Sequence, residues 1–338
     1  MTVTIRDVAK KANVGIATVS RVLNDNPAVS PSTREKVLKA IEDLDYTPNP
    51  TAQRLSLGRT HTISVILPFL TIPSFVERLR GVQHAMADCG LDCEYDLVLY
   101  GADTSERIDY LFSILPRKSR TDGILILSLR PDEIQVQRML QSDVPIILVD
   151  VTYPKFSSVY VDNFKGGMMA TQYLLGLGHH KIAFLSDYLK NVFRFSAMKD
   201  RFDGYCQALK DAGIEFNPAY HRQVPHDREQ AREVAKEWLA GEHRPTAIFA
   251  SSDMQAIGAL FAARELGLRV PEDLSIIGFD DIRDAELVGL TTIRQPLFES
   301  GYTGAMMLLD RLRTGNKETK TVLQEIELVE RKTTAPIS

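Results

Sequence analysis

Apolar residues in the first sixty positions recur at helical spacing. Ile5, Val8, Ala9 and Ala12 fall at i, i+3, i+4 and i+7, which predicts a short amphipathic helix capped by Thr4. Asn13-Val14-Gly15 reads as a turn. Thr18, Val19, Val22 and Leu23 mark a second helix ending near Asn24-Asp25-Asn26-Pro27. Ser30, followed by Pro31 at the first helical position, opens a third, with Val37, Leu38, Ile41 and Leu44 as its apolar face. Pro48 and Pro50 close this module, and residues 51–57 have room for one or two helical turns before Gly58.

From residue 61 the rhythm changes. Short apolar runs at 63–67, 123–127, 145–149, 182–185, 247–250 and 276–279 read as buried strands. Helical patterns lie between them, at 75–87, 166–177, 203–212, 228–239 and 254–266. Such alternation predicts an α/β fold, with parallel sheets covered by helices on both faces. About 270 residues exceed what one such sheet holds, so two lobes are expected. The break is placed near Asp162, with the chain crossing back near residue 290. Ligands in such folds bind beyond the carboxyl ends of the strands, between the lobes.

Composition adds little except through its distribution. The chain of 338 residues is 44% hydrophobic and 25% charged, with a net charge of -4. Residues 1–60 nevertheless carry nine Lys/Arg against six Asp/Glu, leaving the acidic excess to the remainder. That asymmetry permits phosphate attraction at one end only. No signal peptide and no apolar run of membrane-spanning length is visible, so a bacterial-type cytoplasm is the expected compartment. Cys89, Cys93 and Cys206 lack ligand spacing and read as small core or surface residues.

Two helices joined by a tight turn present the second helix to the DNA major groove. Its leading residues here are Ile16, Ala17 and Arg21. Arg21 has the reach for guanine O6 and N7, whereas Ile16 and Ala17 offer apolar contacts such as a thymine methyl. Thr4, Thr18, Ser20 and Asn24 suit phosphate oxygens. Taken on spacing alone, a partnerless three-helix bundle stays open.

The run from Thr4 to Asn24, with Asp7-Val8-Ala9 and Thr18-Val19-Ser20-Arg21-Val22-Leu23-Asn24, resembles the start of the LacI/GalR family of bacterial transcription regulators. Tyr46-Thr47-Pro48-Asn49 and Ala52-Gln53-Arg54-Leu55 are similar to that family's hinge. The likeness continues through Gly178-His179, Ile182-Ala183-Phe184, Arg201 with Gly204-Tyr205, Ser252-Asp253, Ala256-Ile257-Gly258 and Gly278-Phe279-Asp280-Asp281. Gly15 departs from it, where a Ser or Thr cap is usual; glycine is a tolerable N-cap. The resemblance implies a hinge helix, contributed by Asn49, Ala52 and Leu55, that folds when two protomers meet on palindromic operator DNA. Leu55 would then wedge into the minor groove.

The same resemblance implies a periplasmic-binding-protein-like core that senses a small-molecule effector, typically a sugar. Carried over by position, Arg201 and Asp280 are the expected regular contacts, followed by Asp150 and Ser252, with Phe75, His226 and Asp253 lining the pocket. Competing structural roles exist for each: Asp253 as a helix cap, Arg201 as half of an ion pair, Phe75 as core, His226 as a surface residue. The implied domains are 1–47 (helix-turn-helix), 48–60 (hinge), 61–161 plus 291–322 (first lobe) and 162–290 plus 323–338 (second lobe).

Other chemistry is not supported. Gly176-Leu177-Gly178 is half a dinucleotide fingerprint and joins a helix to a strand, the wrong order. His179-His180 are adjacent and cannot readily share a metal. No nucleophile elbow, zinc-protease motif or phosphate loop occurs. No cofactor, metal or catalytic role is therefore expected, and without a leucine heptad tail a homodimer is the default. The expected role is a repressor of carbohydrate-metabolism genes. A solute-binding protein without a transcriptional role is the alternative, and a protein corepressor is compatible with the sequence without being indicated by it.

Overall fold

The computed structural model describes residues 3–24, 26–47, 60–90 and 95–337. Asn49, Ala52 and Leu55, expected in the hinge, lie outside these residues. Three helices open the chain: α1 (Ile5–Ala12), α2 (Ile16–Leu23) and α3 (Pro31–Asp43). The Asp7 carboxylate accepts from the Thr4 backbone N–H at 2.9 Å and from its hydroxyl at 2.7 Å, closing the first turn. Asn13, at φ 52°, ends α1 in the left-handed conformation. Val8, Val19 and Val37, one from each helix, form the fully buried centre. Leu38 is 52% exposed, contrary to the expected apolar face. Val37, Ala40, Ile41 and Leu44 complete the inward stripe, and Leu38 stands about 100° round the helix from Val37.

The core follows as β1 (Thr62–Leu67), α4 (Pro73–Asp88), β2 (Asp96–Gly101), α5 (Ser105–Ile114), β3 (Gly123–Leu127), α6 (Glu133–Leu140), β4 (Ile146–Val149) and β5 (Ser157–Val161). A second set comprises α7 (Asn163–Gly176), β6 (Ile182–Ser186), α8 (Ala197–Asp211), β7 (His221–Gln223), α9 (Arg228–Ala240), β8 (Ala247–Ala250), α10 (Asp253–Glu265), β9 (Ser275–Asp280), α11 (Arg283–Val288) and β10 (Thr291–Arg294). Then come α12 (Leu297–Thr314), β11 (Thr321–Gln324) and β12 (Glu327–Val329). The first sheet runs β11-β5-β4-β3-β1-β2, all parallel; the second runs β12-β10-β9-β8-β6-β7, antiparallel only at β10–β12. Central strands such as β3 and β4 are buried along their whole length, as expected when helices cover both faces.

The chain passes between the lobes after β5, between β10 and α12, and between β11 and β12. The second and third crossings fall later than the sequence placed them. Ile293 is fully buried opposite Phe279, so β10 is a strand of the second sheet and not the start of the return. β11 pairs with β5 as far as Gln324, beyond the expected boundary at 322.

Among the described residues three helix pairs approach closely enough to exclude a Cβ, α9 with α10 at Gly258 and two more that seat the cleft arginines. A Cβ added to Gly167 on α7 would stand 2.1 Å from the carbonyl oxygen of Arg201 on α8. One added to Gly301 on α12 would stand 1.9 Å from that of Arg78 on α4. Each arginine backbone is thus seated on a glycine of the neighbouring helix. Cys89, at the end of α4, is disulfide-bonded, where the sequence suggested only a packing role. Cys206 is a free, half-buried thiol. No described helix is long and apolar enough to cross a membrane.

Candidate effector cleft and nucleic-acid face

The carboxyl ends of β3, β4 and β9 converge between the lobes, and the residues at or just beyond those ends are strained. Ser128, Asp150, Asp280 and Asp281 have φ of 55°, 70°, 117° and 57°, a region unfavourable for side-chain-bearing residues. Such strain persists only where surrounding bonds fix it, and it clusters at functional sites.

Those bonds form one continuous chain across both lobes. The Ser128 hydroxyl donates to Asp150 at 2.7 Å. Asp150 pairs with Arg78 at 3.0 Å. Arg78 also donates to the Gln295 carbonyl oxygen at 3.2 Å, and the Gln295 amide donates to Asp280 at 2.5 Å. Asp280 lies 3.7 Å from Arg201. Arg201 in turn donates to the Asn163 side chain at 2.8 Å and to the Ser251 carbonyl at 2.5 Å, with its guanidinium 3.6 Å from the centre of the Phe279 ring. Both arginines and both aspartates are buried. Burial raises the Asp280 carboxyl above its ordinary value, against the pull of Arg201, and burial likewise lowers the Arg201 guanidinium.

A second set of contacts joins the lobes. Arg194 pairs with Asp132 at 3.0 Å, and the Phe193 ring sits edge-on to Phe69 at 5.3 Å. Arg283 of the second lobe pairs with Glu77 of the first at 3.0 Å.

The residues expected from sequence divide into two groups. Arg201, Asp280 and Asp150 meet in the network just described. Phe75 is buried in the first-lobe core with the Arg78 guanidinium 6.0 Å from its ring centre. His226 lies 3.5 Å from Asp187 in the second lobe. Burial lowers its imidazole below the usual value, with Asp187 pulling the other way.

Asp253 and Ser252 stand together at the start of α10. One Asp253 oxygen accepts from the Thr292 hydroxyl at 2.6 Å, the other from the Ile282 N–H at 2.8 Å, and the residue is fully buried. It ties α10 to β10 and to the turn after β9. Burial, reinforced by the Asp280 charge, lifts its carboxyl well above the ordinary range. The Ser252 hydroxyl caps α10, accepting from the Gln255 N–H at 3.4 Å and donating to its side-chain oxygen at 3.2 Å.

Arg78, Gln295, Ser128 and Asn163 were not singled out from the sequence. Arg78 had a usable signal, since it lies three residues after Phe75 and shares its helix face. Gln295 had none while β10 was assigned to the first lobe.

In the amino-terminal module Ile16, Ala17 and Arg21 are exposed along α2, with Ile16 at 46%. Ala17 and Arg21 are four apart and share a face. Among the described residues the Arg21 guanidinium makes no ion pair or hydrogen bond. Thr18, Ser20 and Asn24 are half-buried at the edges of that face, and Thr4 caps α1. Gly15 caps α2 in ordinary extended geometry, its carbonyl accepting from the Thr18 and Val19 N–H groups, with open space where a Cβ would stand.

Residues 4–49 match the bacterial regulatory proteins of the lacI family, and residues 171–334 match a periplasmic binding protein-like domain. The HTH-type transcriptional repressor PurR of Erwinia tasmaniensis is 33% identical over 338 residues, covering 98% of this chain and 97% of the relative. Catabolite control protein A of Priestia megaterium is 35% identical over 326 residues, 94% of each. Among solved structures, the lac repressor dimer bound to operator and the anti-inducer ONPF is similar at a TM-score of 0.79 and 29% identity, over 99% of this chain and 100% of that one. The regulator CelR in complex with cellobiose is similar at 0.70 and 30% identity, over 98% and 99%. A LacI family regulator from Enterococcus faecium with bound ribose is similar at 0.72 and 28% identity, over 82% and 100%.

Proposed function

The chain belongs to the lacI family of bacterial regulatory proteins, which makes it a DNA-binding transcriptional regulator, and on that premise we propose a cytoplasmic homodimeric repressor whose hold on palindromic operator DNA is set by a sugar or sugar-like effector between the lobes. The observation that carries this reading is the chain of hydrogen bonds and ion pairs from Ser128 to Asn163, which joins the two lobes through Gln295. A sugar needs planar groups for its hydroxyls and an apolar face for its ring carbons. Arg78, Asp150, Arg201 and Asp280 supply the first, and Phe75 the second. The buried Nε of Arg78 has no hydrogen-bond partner among the described residues. An unpaired buried donor costs about 1–3 kcal/mol, which a ligand oxygen would recover. The complexes of CelR with cellobiose and of the Enterococcus faecium regulator with ribose support the same ligand class.

An effector that prefers one lobe arrangement shifts the protein toward it, and the paired DNA-binding modules follow. On operator, Arg21 would read base edges with Ile16 and Ala17 beside it, and Thr4, Thr18, Ser20 and Asn24 would hold phosphates. Asn49, Ala52 and Leu55 are assigned to the hinge on sequence similarity alone. Carbohydrate genes are the matching targets.

The test is a thermal-shift screen of the full-length protein over mono- and disaccharides and nucleosides. A ligand at one hundred times its Kd stabilises by about 2.7 kcal/mol. A sugar should raise Tm in the wild type and lose its effect in Arg201→Gln and Asp280→Asn. Stabilisation by nucleosides in place of sugars overturns the carbohydrate assignment.

A further inference from the structure

Strands β3 and β4 end at the cleft; their opposite ends open on a separate cavity of about 480 Å³. Its inner wall is apolar, formed by Met139, Ile146 and Phe156 of the first-lobe core. Its rim is cationic. Lys118 and Lys317 share the single carboxylate of Asp143, at 3.5 and 3.7 Å, and Lys155 stands 3.8 Å from Glu133. None of these pairs is close, and the lysine side chains are largely exposed. The loop bearing Lys317 is fastened down: Arg311 donates to the Asn316 carbonyl at 2.9 Å and to the Lys317 carbonyl at 2.5 Å. The rim therefore keeps a local excess of positive charge on a fixed frame.

Among the described residues the remaining acid in the wall, Asp122, is already engaged. One of its oxygens accepts from the Thr60 N–H at 2.9 Å and from the Thr60 hydroxyl at 3.1 Å; the other accepts from the His61 N–H at 2.9 Å. Thr60 and His61 are where the chain arriving from the DNA-binding module enters the core. A group bound in this cavity would touch the same wall that holds that entry point.

We propose that this cavity is a second ligand site, for a small amphiphilic anion with a phosphate or carboxylate head and an apolar body, acting on the DNA-binding module through Asp122. The volume lies in the range of small-molecule sites. The lysines attract the head, and the Met139–Phe156 wall accepts the body. Negative charge placed beside Asp122 weakens its hold on Thr60 and His61 by repulsion, so operator affinity responds. The site is chemically unlike the cleft, which is lined by two arginines balanced by two aspartates.

Hexyl phosphate is the probe, with inorganic phosphate and 1-hexanol as its separate halves, measured by titration calorimetry on the full-length protein. Saturable binding is expected at one site per protomer, weakened about tenfold or more in Lys118→Gln/Lys317→Gln, since a hydrogen bond to a charged group contributes about 1.5–3 kcal/mol. Arg201→Gln should keep this binding, which separates the result from the fate of the cleft reading. Operator affinity by fluorescence anisotropy at constant ionic strength should shift with hexyl phosphate in the wild type and stay fixed in the double lysine variant. The proposal is overturned by absence of saturable binding, by undiminished binding in the lysine variant, by loss in Arg201→Gln, by equal affinity for inorganic phosphate, or by an operator affinity that saturating probe leaves unmoved.

Discussion

Replacing Gln295 with Met keeps the side-chain length and deletes both arms of the bridge between the lobes. Gln295 is 4% exposed, accepts from Arg78 at 3.2 Å and donates to Asp280 at 2.5 Å. Hydrogen bonds to charged groups contribute about 1.5–3 kcal/mol each. Arg78 retains Asp150 at 3.0 Å and Asp280 retains Arg201 at 3.7 Å, so the low end applies, about 3 kcal/mol for the pair of bonds. That equals a factor of about 150 in the folded-to-unfolded ratio and a large share of a typical 5–15 kcal/mol total. Urea unfolding of the full-length protein should show a midpoint about 1 M lower at an ordinary slope. A double-mutant cycle with Arg78→Met should return a coupling of about 1 kcal/mol or more. A midpoint displaced by less than about 0.2 M, or a fully additive cycle, refutes the bridge. The lobes would then be joined mainly by Arg194 with Asp132 and Phe193 with Phe69.

Three further outcomes follow from the geometry. Gly167→Ala should push α7 off the Arg201 carbonyl, costing about 1–3 kcal/mol by overpacking; Tm and effector-induced stabilisation should fall together, and an unchanged Tm would show that the helices yield freely. Arg21→Ala should cost about 1–3 kcal/mol on operator and much less on random DNA, whereas Lys10→Ala should weaken both alike; equal losses for Arg21→Ala in competition binding would remove it from base reading. Burial lowers the His221 imidazole to about 4, with the ring stacked 4.5 Å from Phe202. The unfolded chain therefore takes up this proton first, and stability present above the unfolded value near 6.5 is lost as pH falls toward 4. His221→Phe should flatten the urea midpoint across that window; an unaltered pH profile would show that His179 and His226 carry it instead.

The sequence was legible wherever one periodicity dominated. Val8, Val19 and Val37 sit at the centre of three helices whose spacing predicts them, and β3 and β4 are continuous apolar runs. It was less legible where polar residues build structure. Thr291 and Thr292 gave β10 no apolar signature, yet both are buried in the second sheet. That hid the crossing and Gln295 with it. Asp253 and Asp280 are both acids near strand ends, and only the placement of Thr292 and the Ile282 N–H beside the one and of Gln295 beside the other distinguishes their surroundings. Arg78 had a readable position on α4, but its partner Asp150 lies just past the end of β4, and pairing across elements is a tertiary fact.

Each lobe is assembled from stretches of chain that are not contiguous, joined by connections after β5, between β10 and α12, and between β11 and β12. Three covalent tethers forbid the lobes to drift apart. Severing the backbone at one connection would leave the particle whole, still held by the other two. Neither lobe corresponds to a single genetic segment, so the two must be inherited, and lost, together.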